Sequence, residues 1–419
     1  MSEVEERSRF ERMKVEVVSG GTQAEEPPAE ADRTTKIVGI ASWIGLFAVL
    51  AFVSPWILVF VVGLAVSIIL HELGHFWTAR KSGMKATQFF LGFGPRVWST
   101  HRNGVEYGLR AIPLGGFVKI IGMTNLDEVP ENDEAVTYRQ ASYPRRMWVI
   151  TAGSVMHMII AVILITLIYS AWGRVEETGE VTLARIVPES PADQAGFEPD
   201  DVVLSVDGTS VETSDEFRAL LAEAQPGTEH TFVVRRGSEE LTLTATLVQH
   251  PDVDDKVQGF LGVGSTSIDR VETSFGEAVT SGTRDLATGV GQAVTGVAKV
   301  INPVNVWGHL IGTNDDPTSR PGTIVGAAKI SDDFGEYDGW AGILTLLAMV
   351  NVSVGVFNMF PLLPLDGGHA AIATYERIRY GRSRKRLADV GKLMPVAAMC
   401  VMLLAFMFLT GLYLDTLGS

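Results

Sequence analysis

Between Ile37 and Leu70 the chain carries no ionisable side chain. Thirty-odd apolar positions exceed one bilayer crossing, and Ser54-Pro55 near the middle predicts a break into two helices, 37–53 and 56–80. The first, at about 17 residues, is at the short end for a span. Three more apolar runs follow: 147–172, 339–362 and 394–415. The pattern predicts an α-helical polytopic membrane protein of about five spans.

The polar stretches between these runs differ from one another. Residues 81–146 carry Arg96, Arg102, Arg110, Lys119, Arg139, Arg145 and Arg146, and alternate in a β-like way around the turn His101-Arg102-Asn103-Gly104. Glycine-rich apolar strands such as Pro113 to Val118 suit a membrane-associated, reentrant β-element covered by protein. Residues 173–338 instead hold 29 Asp and Glu against 11 Lys and Arg. Strand and turn signals run through 173–250, with a helix-like Asp215 to Ala224 between them, and predict an inserted α+β domain. Residues 251–338 read as a linker and membrane-surface segment, with weak helical periodicity over 275–301. Residues 363–393 read as a basic loop, and 1–36 as a disordered tail rich in Glu, Arg, Ser and Pro, without a signal peptide.

Charge sets the expected orientation. Basic segments at 81–146 and 377–392 place those loops, and the tail, in the cytoplasm; the acidic 173–338 lies outside. A net charge of −15 excludes nucleic acid as the partner, and the lone Cys400 excludes an internal disulfide.

The chemistry is concentrated where apolar runs end. His71-Glu72-Leu73-Gly74-His75 closes the second run. On a helix, His71 and His75 project from one face and can share a zinc ion, with Glu72 beside it to accept a proton from an activated water. Asp366 stands in Leu365-Asp366-Gly367-Gly368 after the fourth run, and the crossing count brings it to the same cytoplasmic-side depth. Two histidines and one carboxylate leave a fourth position for water, the catalytic arrangement. His157, alone within the third run, reads as a polar contact between helices.

Taken together, HELGH at 71–75, GFGP at 92–95, PLGGFVKI at 113–120 and NMFPLLPLDGG at 358–368 resemble the site-2 protease family of intramembrane metalloproteases. The segment from Pro191 to Gly208 resembles the core of a PDZ domain, so the likeness is to the bacterial branch with a PDZ insert, actinobacterial members especially. This resemblance covers about residues 56–415. It implies one zinc ion per chain bound by His71, His75 and Asp366, with Glu72 as general base. It also implies that Asn358 holds the substrate backbone or the developing oxyanion, and that 88–123 pairs with unwound substrate. The expected substrates are single-span membrane proteins such as pre-cleaved anti-sigma factors, cut in a bacterial cell membrane. A PDZ-like domain outside would take peptide C-termini or act as a size filter. The chain departs from the family plan in its additional helix 37–53, and in Gly153-Ser154-Val155-Met156-His157 where relatives have Gly-Pro-x-x-Asn. The alternatives are a membrane PDZ scaffold with a degenerate zinc site, and a membrane metalloprotease cutting outside the bilayer.

Overall fold

The computed structural model describes residues 33–124, 127–249, 258–381 and 387–417. Most of the expected tail, residues 1–32, and residues 382–386 of the expected basic loop lie outside the described residues. The chain forms two compact units, residues 1–168 with 275–419, and residues 169–274.

Among the described residues of the first unit are helices long and apolar enough to cross a membrane: α1 (Arg33–Val53), α2 (Pro55–Lys81) and α3 (Tyr143–Trp172). Ser54 separates α1 from α2 for a local reason. Its hydroxyl accepts hydrogen bonds from the N–H groups of Trp56 and Ile57, and Pro55 occupies the first helical position, where no N–H is needed. The Ser54 hydroxyl also donates to Asp332.

Between α2 and α3 lie two long antiparallel strands, β1 (Ala86–Arg102) and β2 (Val105–Ile120). They fold back on each other, so Phe90 lies opposite both Gly108 and Phe117, and Leu91 opposite both Leu109 and Gly116. Residues 96–102 pair with 105–110 beyond. The result is a narrow sheet with 116–119 on one margin and 96–102 on the other. Glycine makes the folding possible: Gly108 carries Trp98 O where its Cβ would be, at 2.3 Å.

The second unit has its own core. Strand β3 (Arg174–Ile186) is followed by α4 (Pro191–Ala195), β4 (Val202–Val206), β5 (Thr209–Ser210), α5 (Ser214–Glu223), β6 (Glu229–Arg236) and β7 (Glu239–Thr246). Short β8 (Val248–Gln249) and β9 (Gly259–Phe260) pair together, and β10 (Val263–Val271) closes the unit. The sheet order is β10-β3-β4-β6-β7, with β5 beside β4, around Leu183, Phe217, Phe232, Val234 and Leu247. A capping box of Thr213 and Glu216 starts α5. Because β10 pairs with β3, this sheet runs past residue 250, where the sequence pattern ended.

Residues 258–338 of the expected linker hold regular structure that weak periodicity concealed, including α6 (Phe275–Ile301) and α7 (Pro303–Leu310), while 251–257 lie outside the described residues. Small residues let α6 pack closely; a Cβ on Gly282 would meet Ile165 Cγ2 of α3 at 3.1 Å. The fourth run begins earlier than its hydropathy indicated. Helix α8 (Ile324–Asn358) starts at the Thr323 cap and bends at Gly339, whose φ of 57° departs from helical geometry. It ends at Asn358 rather than 362 because Pro361 cannot continue it. Within the expected basic loop, residues 366–380 form α9 (Asp366–Tyr380), with Arg377 and Arg379 in the last turn where cations favour the helix dipole. The last span is α10 (Met394–Thr416).

Two apolar clusters hold the site from above and below. Phe60 and Leu64 of α2 pack on Ile343, Leu346 and Leu347 of α8. Phe76 and Ala79 of α2, Val105 and Ile120 of the sheet, Val149 and Ile150 of α3, and Ala370 and Ala373 of α9 form the other.

Candidate metal centre

His71 and His75 lie one turn apart on α2, both buried, with their Nε2 atoms 3.2 Å apart. Asp366, the first residue of α9, brings Oδ2 to 3.2 Å from His75 Nε2 and 3.6 Å from His71 Nε2. Among the described residues this is the cluster of His, Cys, Asp and Glu able to hold a metal ion. The spacing fits zinc. Bonds of about 2.0–2.1 Å in a tetrahedron put neighbouring ligand atoms about 3.3 Å apart. Asp366 Oδ2 is buried and has no hydrogen-bond donor, which a carboxylate at such a depth tolerates only beside a cation.

Neighbouring backbone orients one of the candidate ligands. His75 Nδ1 donates to the Val149 carbonyl at 2.8 Å, which leaves the lone pair on Nε2, aimed at the other two ligand atoms. Glycines allow α2 and α3 to meet at this level. A Cβ on Gly74 would sit 2.8 Å from Ala152 O, and one on Gly153 would sit 2.3 Å from His71 Cε1 and 2.4 Å from His75 Nε2. Gly74 inside HELGH is therefore a packing requirement.

The Asp366 side is shaped by the turn after α8. Leu365 N donates to Leu362 O and Gly368 N to Leu365 O, which returns the chain into α9. Gly367 lies directly on the backbone of this turn, since a Cβ there would come 2.2 Å from Phe360 O and 2.3 Å from Met359 O. Asn358, the last residue of α8, is thus joined to Asp366 through a turn packed on Gly367.

Glu72 faces the margin of the sheet. A Cβ on Gly116 would meet Glu72 Cγ at 3.4 Å, and the Val118 backbone lies close enough to act electrostatically on the Glu72 carboxylate. The structure therefore assembles His71, His75 and Asp366, with Glu72 between them and strand residues 116–118.

His157 makes the contact between helices that the sequence predicted, and its partner, Asn351, had no role in the sequence reading. His157, on α3, has its ring centroid 4.9 Å from that of His71, and its Nδ1 lies 2.8 Å from Asn351 Oδ1. Asn351 on α8 also donates to Ser67 Oγ of α2 at 3.1 Å and to Leu347 O. Three helices are tied together behind the ligands. The available signal was Asn351 in the interior of the apolar run 339–362, since an amide in a membrane helix calls for a partner.

Comparison with known proteins agrees with this geometry. The sequence model of Peptidase family M50 matches residues 59–404. Zinc metalloprotease Rip1 of Mycobacterium tuberculosis is 33% identical over 390 residues, covering 84% of this chain and 95% of the relative. Rip1 of Mycolicibacterium smegmatis is 32% identical over 391 residues, with the same coverage. A putative zinc metalloprotease of Agrobacterium fabrum is 29% identical over 352 residues, covering 80% of this chain and 89% of the relative. Among solved structures, the PDZ domain of the SdrC-like protein from Listeria monocytogenes covers 20% of this chain and 85% of its own, at 18% identity and a TM-score of 0.18. With most of its length matched by the family and by relatives of known type, the chain belongs to peptidase family M50, the site-2 proteases, and is a multi-pass membrane zinc metalloprotease.

Proposed function

We propose that the chain hydrolyses a peptide bond within or beside the transmembrane segment of single-span membrane proteins, anti-sigma factors already cut outside the membrane being the best-fitting class. His71, His75 and Asp366 hold one zinc ion per chain, and Glu72 is the general base. Zinc held there supplies a Lewis acid that polarises the scissile carbonyl and makes water acidic near neutral pH. Glu72 takes the proton of the attacking water and returns it to the leaving amine. The observation that carries this reading is the meeting of the three ligand atoms with Glu72 against strand residues 116–118.

A helical substrate hides its carbonyls, so it must be held extended before it is cut. Residues 116–119 pair with β1 on one side, and no strand pairs with their other side among the described residues. Strand addition at this margin would present an extended segment beside Glu72. Asn358, at the turn on Gly367, serves the substrate backbone or the oxyanion. The ligands lie toward the basic, cytoplasmic side of their helices, and the acidic second unit lies outside, where its PDZ-like fold takes peptide C-termini or excludes substrates with intact outer domains.

The test is zinc content and cleavage of a single-span anti-sigma substrate by the purified protein, beside Glu72→Gln and Asp366→Ala. The expected result is zinc retained and cleavage lost in Glu72→Gln, and zinc lost in Asp366→Ala. Cleavage surviving in Glu72→Gln, or full zinc in Asp366→Ala, would overturn the assignment.

A further inference from the structure

We propose that α1 is a brace for the β1–β2 sheet: Gly39, Ser42 and Trp43 hold the margin of the sheet far from Glu72, and so set how well residues 116–119 take up a substrate strand. The second half of this statement rests on the strand-addition reading above.

Helix α1 is apolar almost throughout, and Gly39 is its buried residue. In lipid, an apolar face gains little by leaving hydrocarbon for another apolar face; what fixes a helix there is close packing at small residues and hydrogen bonds. Both are present and confined to one face, at positions i, i+3 and i+4. A Cβ on Gly39 would lie 2.4 Å from Val97 Cγ2 and 3.2 Å from Ala111 Cβ. The Ser42 hydroxyl lies 2.7 Å from Ala111 O, and Trp43 Nε1–H donates to Arg110 O at 2.9 Å. The Arg110 carbonyl thus receives a donor that lipid could not supply, and the Ser42 hydroxyl, 2.7 Å from both Gly39 O of its own helix and Ala111 O, offers its one proton to either.

The position of these contacts in the sheet decides what α1 does. Residues 88–91 separate 106–109 from 116–119, and 96–102 lie outside 105–110. Val97, Arg110 and Ala111 therefore belong to the half of the sheet away from Gly116 and Glu72. The contacts of α1 with Val97, Arg110 and Ala111 all lie on this half of the sheet, away from the margin beside Glu72. Helix α1 steadies the sheet from behind and is not a plug.

The experiment uses the full chain in lipid nanodiscs. Gly39→Leu and the double variant Ser42→Ala with Trp43→Phe are compared with wild type for zinc content, amide hydrogen exchange over 86–120, and cleavage of a tagged single-span reporter with a truncated outer domain. The expected result is full zinc, faster exchange across 105–120, and KM raised about threefold to tenfold, as loss of one or two hydrogen bonds warrants, with kcat changed less. Unchanged exchange in both variants overturns the brace. Faster exchange with unchanged KM keeps the brace and overturns strand addition at 116–119. A second variant guards against misfolding: Ser42→Cys with Ala111→Cys, in a Cys400→Ser background, is oxidised to lock α1 on the sheet. A brace leaves the locked enzyme cutting at the wild-type rate, whereas a locked enzyme that holds zinc and does not cut shows that α1 must leave, and the proposal fails.

Discussion

Gly153 and His71 touch across the α2–α3 contact: the imidazole occupies the space where any side chain on residue 153 would begin, 2.3 Å from His71 Cε1 and 2.4 Å from His75 Nε2. These are ring atoms of the two candidate metal ligands, not the ends of flexible side chains. Gly153→Ala must therefore rotate one or both imidazoles or part the helices. Substitutions that disturb ligand orientation weaken metal binding by about 10–100-fold. We expect zinc affinity to fall by that factor and cleavage with it, measured by competition with a chromogenic chelator. Ser154→Ala, one position along, is the control.

The buried pair Arg146–Glu376 joins α3 to the helix that begins with Asp366. Arg146 Nη1 lies 2.7 Å from Glu376 Oε2, while Glu376 Oε1 accepts the Ala388 N–H and the guanidinium lies over the Tyr138 ring. Removing one member of a buried pair leaves the other uncompensated, at a cost of about 3–5 kcal/mol. Arg146→Ala should lower thermal stability on that scale. The double variant Arg146→Met with Glu376→Leu should recover much of it, since well-packed apolar replacements of buried pairs are often neutral. A melting curve of each purified variant decides between these outcomes.

The second unit should be acid-sensitive through Asp201. Its side chain is fully buried, which by itself would raise the carboxyl, but two bonds from Arg236, with Nε and Nη2 each 2.7 Å away, and the Glu198 N–H outweigh burial and hold it below the usual carboxylate range. A carboxyl depressed by folding contributes stability above its unfolded value, near pH 4, and that contribution is lost as pH falls through the lower folded value. Asp201→Asn should therefore be less stable than wild type at neutral pH, and the difference should shrink progressively below about pH 4. Hydrogen exchange of β4 and β6 amides against pH reads it.

What the sequence made legible and what it did not divide along physical lines. HELGH and Asp366 stand out because a metal set needs few residue types at tight spacing, and because ionisable groups are rare in apolar runs. The five runs follow from hydropathy, which integrates over twenty residues. Gly153, by contrast, is one of 43 glycines; its meaning lies in a close approach between helices that local pattern does not encode. Likewise Arg146 and Glu376 are 230 positions apart, each ordinary in its own segment. Helix α6 was faint because Gly, Ala and Thr dilute its periodicity while allowing it to lie close to α3.

Asn351 is the residue through which α2, α3 and α8 share polar contacts behind the ligands, and its removal should be felt in all three. Its Oδ1 accepts from His157 Nδ1, and its Nδ2 donates to Ser67 Oγ and to Leu347 O. His157 and Asn351 are each 1% exposed, so water cannot replace a lost partner. Asn351→Leu keeps the volume and deletes the bonds. Hydrogen bonds between membrane helices are worth about 0.6 kcal/mol on average and up to about 1.7, so the melting temperature should fall by a few degrees, without unfolding. The ring of His157 lies against His71, so its release should also loosen the zinc site. Cobalt substitution then offers a direct view: in Asn351→Leu the visible ligand-field spectrum should broaden or shift, whereas a lowered melting temperature with an unchanged spectrum would confine Asn351 to holding the helices together.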